Sequence, residues 1–211
     1  MTVRTTRFAG LLRLVSRRRT PLLLLAALLL AGATVLPLWG MTLVSTQYPE
    51  GLRMVVYPTR ITGDLAEINA LNHYIGMTPI ADDFFVELRF LRPALLLLAG
   101  ALALAAALRH ARWAAVTPLV GMTALGVGGL AIMRYRLWQF GHQLDPQAAI
   151  TIDPFTPPMV GLNQIAQFAS YSYFSWGIFL PVAAGLIVVL VVLADRRHAR
   201  PALHKAVLAV A

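Results

Sequence analysis

The sequence predicts an all-α integral membrane protein with four transmembrane helices, both termini cytoplasmic, and two ordered outer loops holding a short helix and a short strand. Three observations carry this reading. The 211 residues are 58% hydrophobic, with a mean hydropathy of +0.69, which belongs to the membrane class rather than to soluble domains. Four apolar runs, at 21–44, 91–108, 113–133 and 174–194, approach or exceed the roughly 20 residues a helix needs to cross a bilayer. The charge is also sorted by segment. With the N-terminus inside, the inner segments hold twelve basic residues against one acid, Asp195, and the outer loops hold six basic residues against eight acids. That asymmetry is the positive-inside rule, and it explains the net charge of +9 without a nucleic-acid partner. The expected partners are the lipid bilayer and a periplasmic or membrane protein.

Residues 1–20 are basic around an apolar middle, Phe8-Ala9-Gly10-Leu11-Leu12-Arg13-Leu14-Val15. Two readings stay open: a short interfacial helix or a disordered basic tail that only sets topology. Arg17 to Arg19 followed by leucines has the shape of a signal peptide, but the apolar run continues through Leu36, Leu38 and Leu43, which favours a retained span. A single membrane domain is expected over 21–195, with outer loops at about 45–90 and 134–173 and a basic tail over 196–211.

The first outer loop carries most of the chain's polar chemistry. Tyr48-Pro49-Glu50-Gly51-Leu52 reads as a turn, and the β-branched stretch 53–57 as a strand. Asp64 and Glu67 form an Asp-x-x-Glu pattern that can cap a helix start. Leu65, Ile68, Leu71 and Ile75 recur at helical spacing, and Gly76 is the expected stop. Asn69 and His73, four apart, share a face of that helix. An amphipathic stretch over 81–90, including Asp82 and Asp83, leads into the second span.

The second and third spans are joined by a tight basic hairpin at 109–112. Gly121, Gly126, Gly128 and Gly129 in the third span read as a packing face for close helix approach. In the second outer loop, Pro146, Pro154, Pro157 and Pro158 dictate an extended path. A helix start is expected at 163–168, and Tyr171, Tyr173, Phe174 and Trp176 read as an interfacial aromatic belt. The order of span, loop and span occurs twice, but identity between the halves is too slight for a true repeat.

There is no cysteine. This excludes disulfides, thiolate metal sites, c-type haem attachment and iron–sulfur clusters. No nucleophile elbow, phosphate-binding loop or zinc-protease pattern is present. The clear spans lack the mid-membrane acid, lysine or histidine that ion pathways use. A non-enzymatic protein is therefore expected. His110, His198 and His204 fall in inner basic segments and suit topology or headgroup contacts. His73 and His142 fall in the outer loops, as do Met77 and Met159. This His/Met set without thiolate suits copper first, and imidazole also suits haem iron. These four residues are the candidate metal ligands. The competing reading is that His73 bonds the loop backbone and the methionines pack.

The strings Leu71-Asn72-His73-Tyr74-Ile75-Gly76-Met77, Gly141-His142-Gln143-Leu144-Asp145-Pro146 and Pro154-Phe155-Thr156-Pro157-Pro158 resemble a group of bacterial inner-membrane proteins associated with copper-chaperone and nitrous-oxide-reductase accessory genes. The resemblance covers both outer loops. It implies an inner-membrane location with periplasmic loops and a role in copper handling or respiratory metalloenzyme assembly, and it supplies no catalytic residues. Two other functions fit the residues: a docking subunit whose outer loops grip a partner, and a haem-binding electron-transfer subunit.

Overall fold

The computed structural model describes residues 2–81, 85–108, 111–165 and 168–208. The acids Asp82 and Asp83 and the hairpin residues Arg109 and His110 lie outside these. Six helices are present among the described residues: α1 (Thr2–Arg17), α2 (Arg19–Ala33), α3 (Leu65–Tyr74), α4 (Leu88–Ala107), α5 (Val116–His142) and α6 (Trp176–Leu208). Five strands accompany them: β1 (Trp39–Val44), β2 (Leu52–Val56), β3 (Ile61–Gly63), β4 (Gly161–Ile165) and β5 (Phe168–Phe174). They form one antiparallel sheet in the order β3-β2-β1-β5-β4.

The all-α four-span expectation is thus corrected. Among the described residues three helices, not four, are long and apolar enough to cross a membrane: Leu88–Ala107, Trp113–His142 and Trp176–Arg197. Hydropathy alone reads the run 21–44 as one span. Pro37 forces Leu36 away from helical backbone, α2 ends at Ala33, and Trp39–Val44 becomes a strand. At 1.5 Å per residue α2 is about 22 Å long, short of the ~30 Å hydrocarbon core. Among the described residues of the helix expected at 163–168, residues 163–165 belong to β4 and Phe168 to β5 instead. In β5, Ser170 and Ser172 are buried and Tyr171 between them is exposed, the period of two that marks a strand. Tyr171, Tyr173 and Phe174 therefore belong to the sheet, with Tyr171 and Tyr173 stacked at 5.9 Å.

The chain divides into two compact units. One comprises Met1–Gly32, Leu95–Ala124 and Leu180–Ala211. Its buried positions recur at three-four spacing: Leu23, Ala26, Ala27 and Leu30 in α2; Leu95, Ala99, Leu102 and Ala106 in α4; Ala184, Val188 and Val191 in α6. The small residues permit close helix approach. The N-terminal segment is helical. Arg18 N–H donates to Leu14 O and Leu22 N–H to Arg18 O, both at 3.1 Å, so the helical path runs on from α1 into α2. The Arg19 guanidinium is buried here. It meets Asp195 Oδ2 at 3.1 Å and donates to Ala105 O at 2.9 Å and Ala111 O at 3.3 Å. In α5, by contrast, only 6% of the most apolar stretch is buried, and Val120, Val127, Leu130 and Ile132 are exposed.

The other unit comprises Ala33–Ala94 and Leu125–Phe179 and contains the whole sheet. The strand expected at 53–57 is β2. Alternation sends Trp39, Met41 and Leu43 of β1 and Leu52, Met54 and Val56 of β2 to one face. There they pack with Ile68 and Leu71 of α3, Ile80 and Phe140 of α5. Arg136 of α5 holds Glu87 Oε1 through Nη2 at 2.6 Å and Nε at 2.9 Å.

Candidate functional site

The helix expected around His73 is α3, but its start is built differently from the expectation. The Asp64 side chain makes no capping bond to α3. Its Oδ2 accepts the Arg53 N–H at 2.7 Å, while Arg53 O accepts the Asp64 N–H at 2.8 Å. Asp64 therefore extends the β2–β3 ladder. The end of α3 is as the sequence suggests. Gly76 adopts φ 73°, Met77 N–H donates to Asn72 O at 2.9 Å, and Gly76 N–H donates to His73 O at 3.3 Å. This is a Schellman closure. His73 stands exposed on the last turn, and Asn72 is buried. Asn69, on the same face as His73, clamps the following loop: Nδ2 donates to Ile80 O at 2.9 Å and Oδ1 accepts Ile80 N–H at 2.7 Å. Sequence reasoning missed this use of Asn69. A helical Asn followed within a dozen residues by an apolar loop end is the only signal it leaves.

His142 is the last residue of α5. Its ring stacks on Trp138 at 4.8 Å and 23°, and Trp138 stacks on Tyr135 at 6.1 Å. His142 Nδ1 lies 3.0 Å from Trp138 O. A carbonyl only accepts, so this contact puts the imidazole proton on Nδ1 and leaves the Nε2 lone pair free for a metal. The preceding Gly141 is required by packing. A Cβ there would run into Phe155 O, and Phe155 N–H donates to Gly141 O at 3.0 Å. The proline-rich segment thus lies across the end of α5 and holds His142 in position.

The two histidine-bearing segments are tied together. Asp145 N–H donates to Gly76 O at 2.8 Å, and Ile150 N–H donates to Tyr74 O at 2.9 Å. Asp145 Oδ1 accepts the Gln147 N–H at 2.8 Å, shaping the turn between those two bonds. His73 and His142 are each only a few residues from this junction.

The methionines are placed elsewhere. Met77 is half-buried and packs on the apolar cluster of the sheet unit, whereas His73 is exposed. Met159 is half-buried, and its carbonyl accepts the Trp39 indole N–H at 2.6 Å. Among the described residues no three His, Asp or Glu side chains converge as a metal cluster. The arrangement can offer a copper ion two exposed imidazoles, one with its donor nitrogen oriented, and the remaining positions would fall to solvent or a partner. Comparisons with known protein families, with curated proteins and with solved structures give no match to this chain.

Proposed function

We propose that this is a membrane-held accessory protein for copper handling or metalloenzyme assembly, with His73 and His142 contributing imidazoles to one copper site. The observation that carries the reading is the double backbone junction between the two histidine segments, Asp145 to Gly76 and Ile150 to Tyr74. It gives a physical reason for two loops far apart in sequence to act together. The oriented Nε2 of His142 adds to it, and so does the resemblance of both loop motifs to proteins associated with copper accessory genes. The three long apolar helices would hold the protein in the bacterial inner membrane. Lipid is the natural cover for the bare apolar surface of α5. The Arg19 clamp on Asp195, Ala105 and Ala111 ties the start of α2 to the end of α4 and to the basic end of the apolar stretch of α6.

The test is Cu(II) content and visible absorption of the detergent-purified protein after loading with Cu(II) in air, beside His73→Ala and His142→Ala. The reading expects about one copper per chain, lost in both variants. No copper in the loaded wild type would reject it. A haem band would replace it with the electron-transfer alternative.

A docking role is the second reading, favoured by the sheet edge. β4 is an edge strand, and Leu162 on it is 78% exposed beside half-exposed Tyr171 and Val160. Open strand edges with apolar side chains are templates for an added strand. Site-specific crosslinking from Leu162 in whole cells decides it: a single discrete adduct supports docking, and no adduct rejects it.

A further inference from the structure

The strand register places one row of residues across the full width of the sheet. Gly63 of β3 faces Met54 of β2, Met54 faces Met41 of β1, Met41 faces Ser172 of β5, and Ser172 faces Gly161 of β4. The two central residues are thioethers. Those on either side, Gly63 and Ser172, are small. Directly opposed residues have Cβ atoms roughly 4.5–5.5 Å apart, so two flexible thioether arms rise side by side from the covered face. Met77 and Met133 pack into the same apolar cluster from outside the sheet.

Packing alone explains methionines in a core, because the side chain fills irregular gaps. It does not explain Ser172. This residue is 1% exposed, and its Oγ has no hydrogen-bond partner. An unsatisfied buried hydroxyl costs about 1–3 kcal/mol, and alanine would fill the same space without that cost. Asn163, on the same face of the adjoining strand, has a buried Nδ2 in the same condition. Met41 thus has, directly across the β1–β5 pairing, a polar atom that the chain itself leaves unpaired.

We propose that Met41 and Met54 form a binding site for monovalent copper on the covered face of the sheet, with Met77 or Met133 completing the thioether set and Ser172 Oγ available as an oxygen donor. The neutral, polarisable thioether selects soft Cu(I) and is a poor ligand for zinc or magnesium. This site is distinct from the histidine pair. It rests on the copper-handling reading for the identity of its metal.

The experiment uses the full-length protein in detergent, carrying methyl-¹³C methionine. The methyl resonances are assigned by Met41→Leu and Met54→Leu, swaps that conserve core volume. The probes are Cu(I), added without oxygen, and Ag(I) as its non-redox analogue. The proposal expects the Met41 and Met54 methyl signals to shift with both ions and not with zinc. It also expects affinity for Cu(I) to fall roughly tenfold or more in the double variant and to persist in His73→Ala/His142→Ala. Unmoved methyl signals in the wild type would overturn it, whatever the fold of the variants. Copper held only by the histidines would overturn it and leave the copper-handling reading standing. No copper in either oxidation state would reject both.

Discussion

Arg19 Nε lies 3.1 Å from Asp195 Oδ2, with the two side chains 9% and 8% exposed. The pair joins chain positions 176 apart and adds two carbonyl bonds from the same guanidinium. Truncating one partner of a buried pair leaves the other charge uncompensated, at a cost of about 3–5 kcal/mol. Arg19→Ala should therefore lower the thermal midpoint in detergent sharply. Arg19→Leu/Asp195→Leu should recover part of the loss. Equal stability of wild type and Arg19→Ala would mean the pair holds nothing together.

Gly76→Ala tests the junction between the histidine segments. The position has φ 73°, and a Cβ would stand 2.8 Å from Asp145 O. Left-handed backbone alone costs a non-glycine residue about 1–2 kcal/mol, and the contact with rigid backbone adds to it. The expected result is faster amide exchange at Asp145 and Ile150, with weakened copper binding. Unchanged exchange at both amides would show that the junction tolerates the side chain.

Asp64→Ala separates two roles for one carboxylate. A helix cap would make α3 fray. The observed bond to Arg53 N–H instead predicts faster exchange of the Arg53 amide, α3 left intact, and a loss of about 1 kcal/mol. Fraying of α3 with the Arg53 amide unaffected is the contrary outcome.

What the residues disclose before folding differs from element to element. The end of α3 is legible because Gly76 is a local signal: the left-handed closure needs only a glycine at one place. The strand at β2 is legible from its β-branched run. The sheet as a whole is not, because hydropathy cannot separate an apolar strand from the end of an apolar helix. Trp39–Val44 is apolar enough to read as a continuation of the helix before it, and only Pro37 hints at the change. The pairing of β1 with β5 joins segments about 130 residues apart, and no local pattern carries that. Asp64 was misread because the cap pattern is local while its true partner lies across a strand. Within the candidate site, His73 and His142 are visible as histidines outside the apolar runs, and their shared junction is not. Met77 follows the Schellman turn at Gly76 and packs, half-buried, against the apolar cluster of the sheet unit, a placement its sequence position does not disclose.

The proposed copper site requires His73 and His142 to bind one ion together. Pulsed electron paramagnetic resonance of the Cu(II)-loaded protein counts the imidazoles on the metal directly. The account predicts two coordinated imidazoles in the wild type, one in His73→Ala and one in His142→Ala. A wild-type spectrum with a single imidazole, or one unchanged by either substitution, would contradict it.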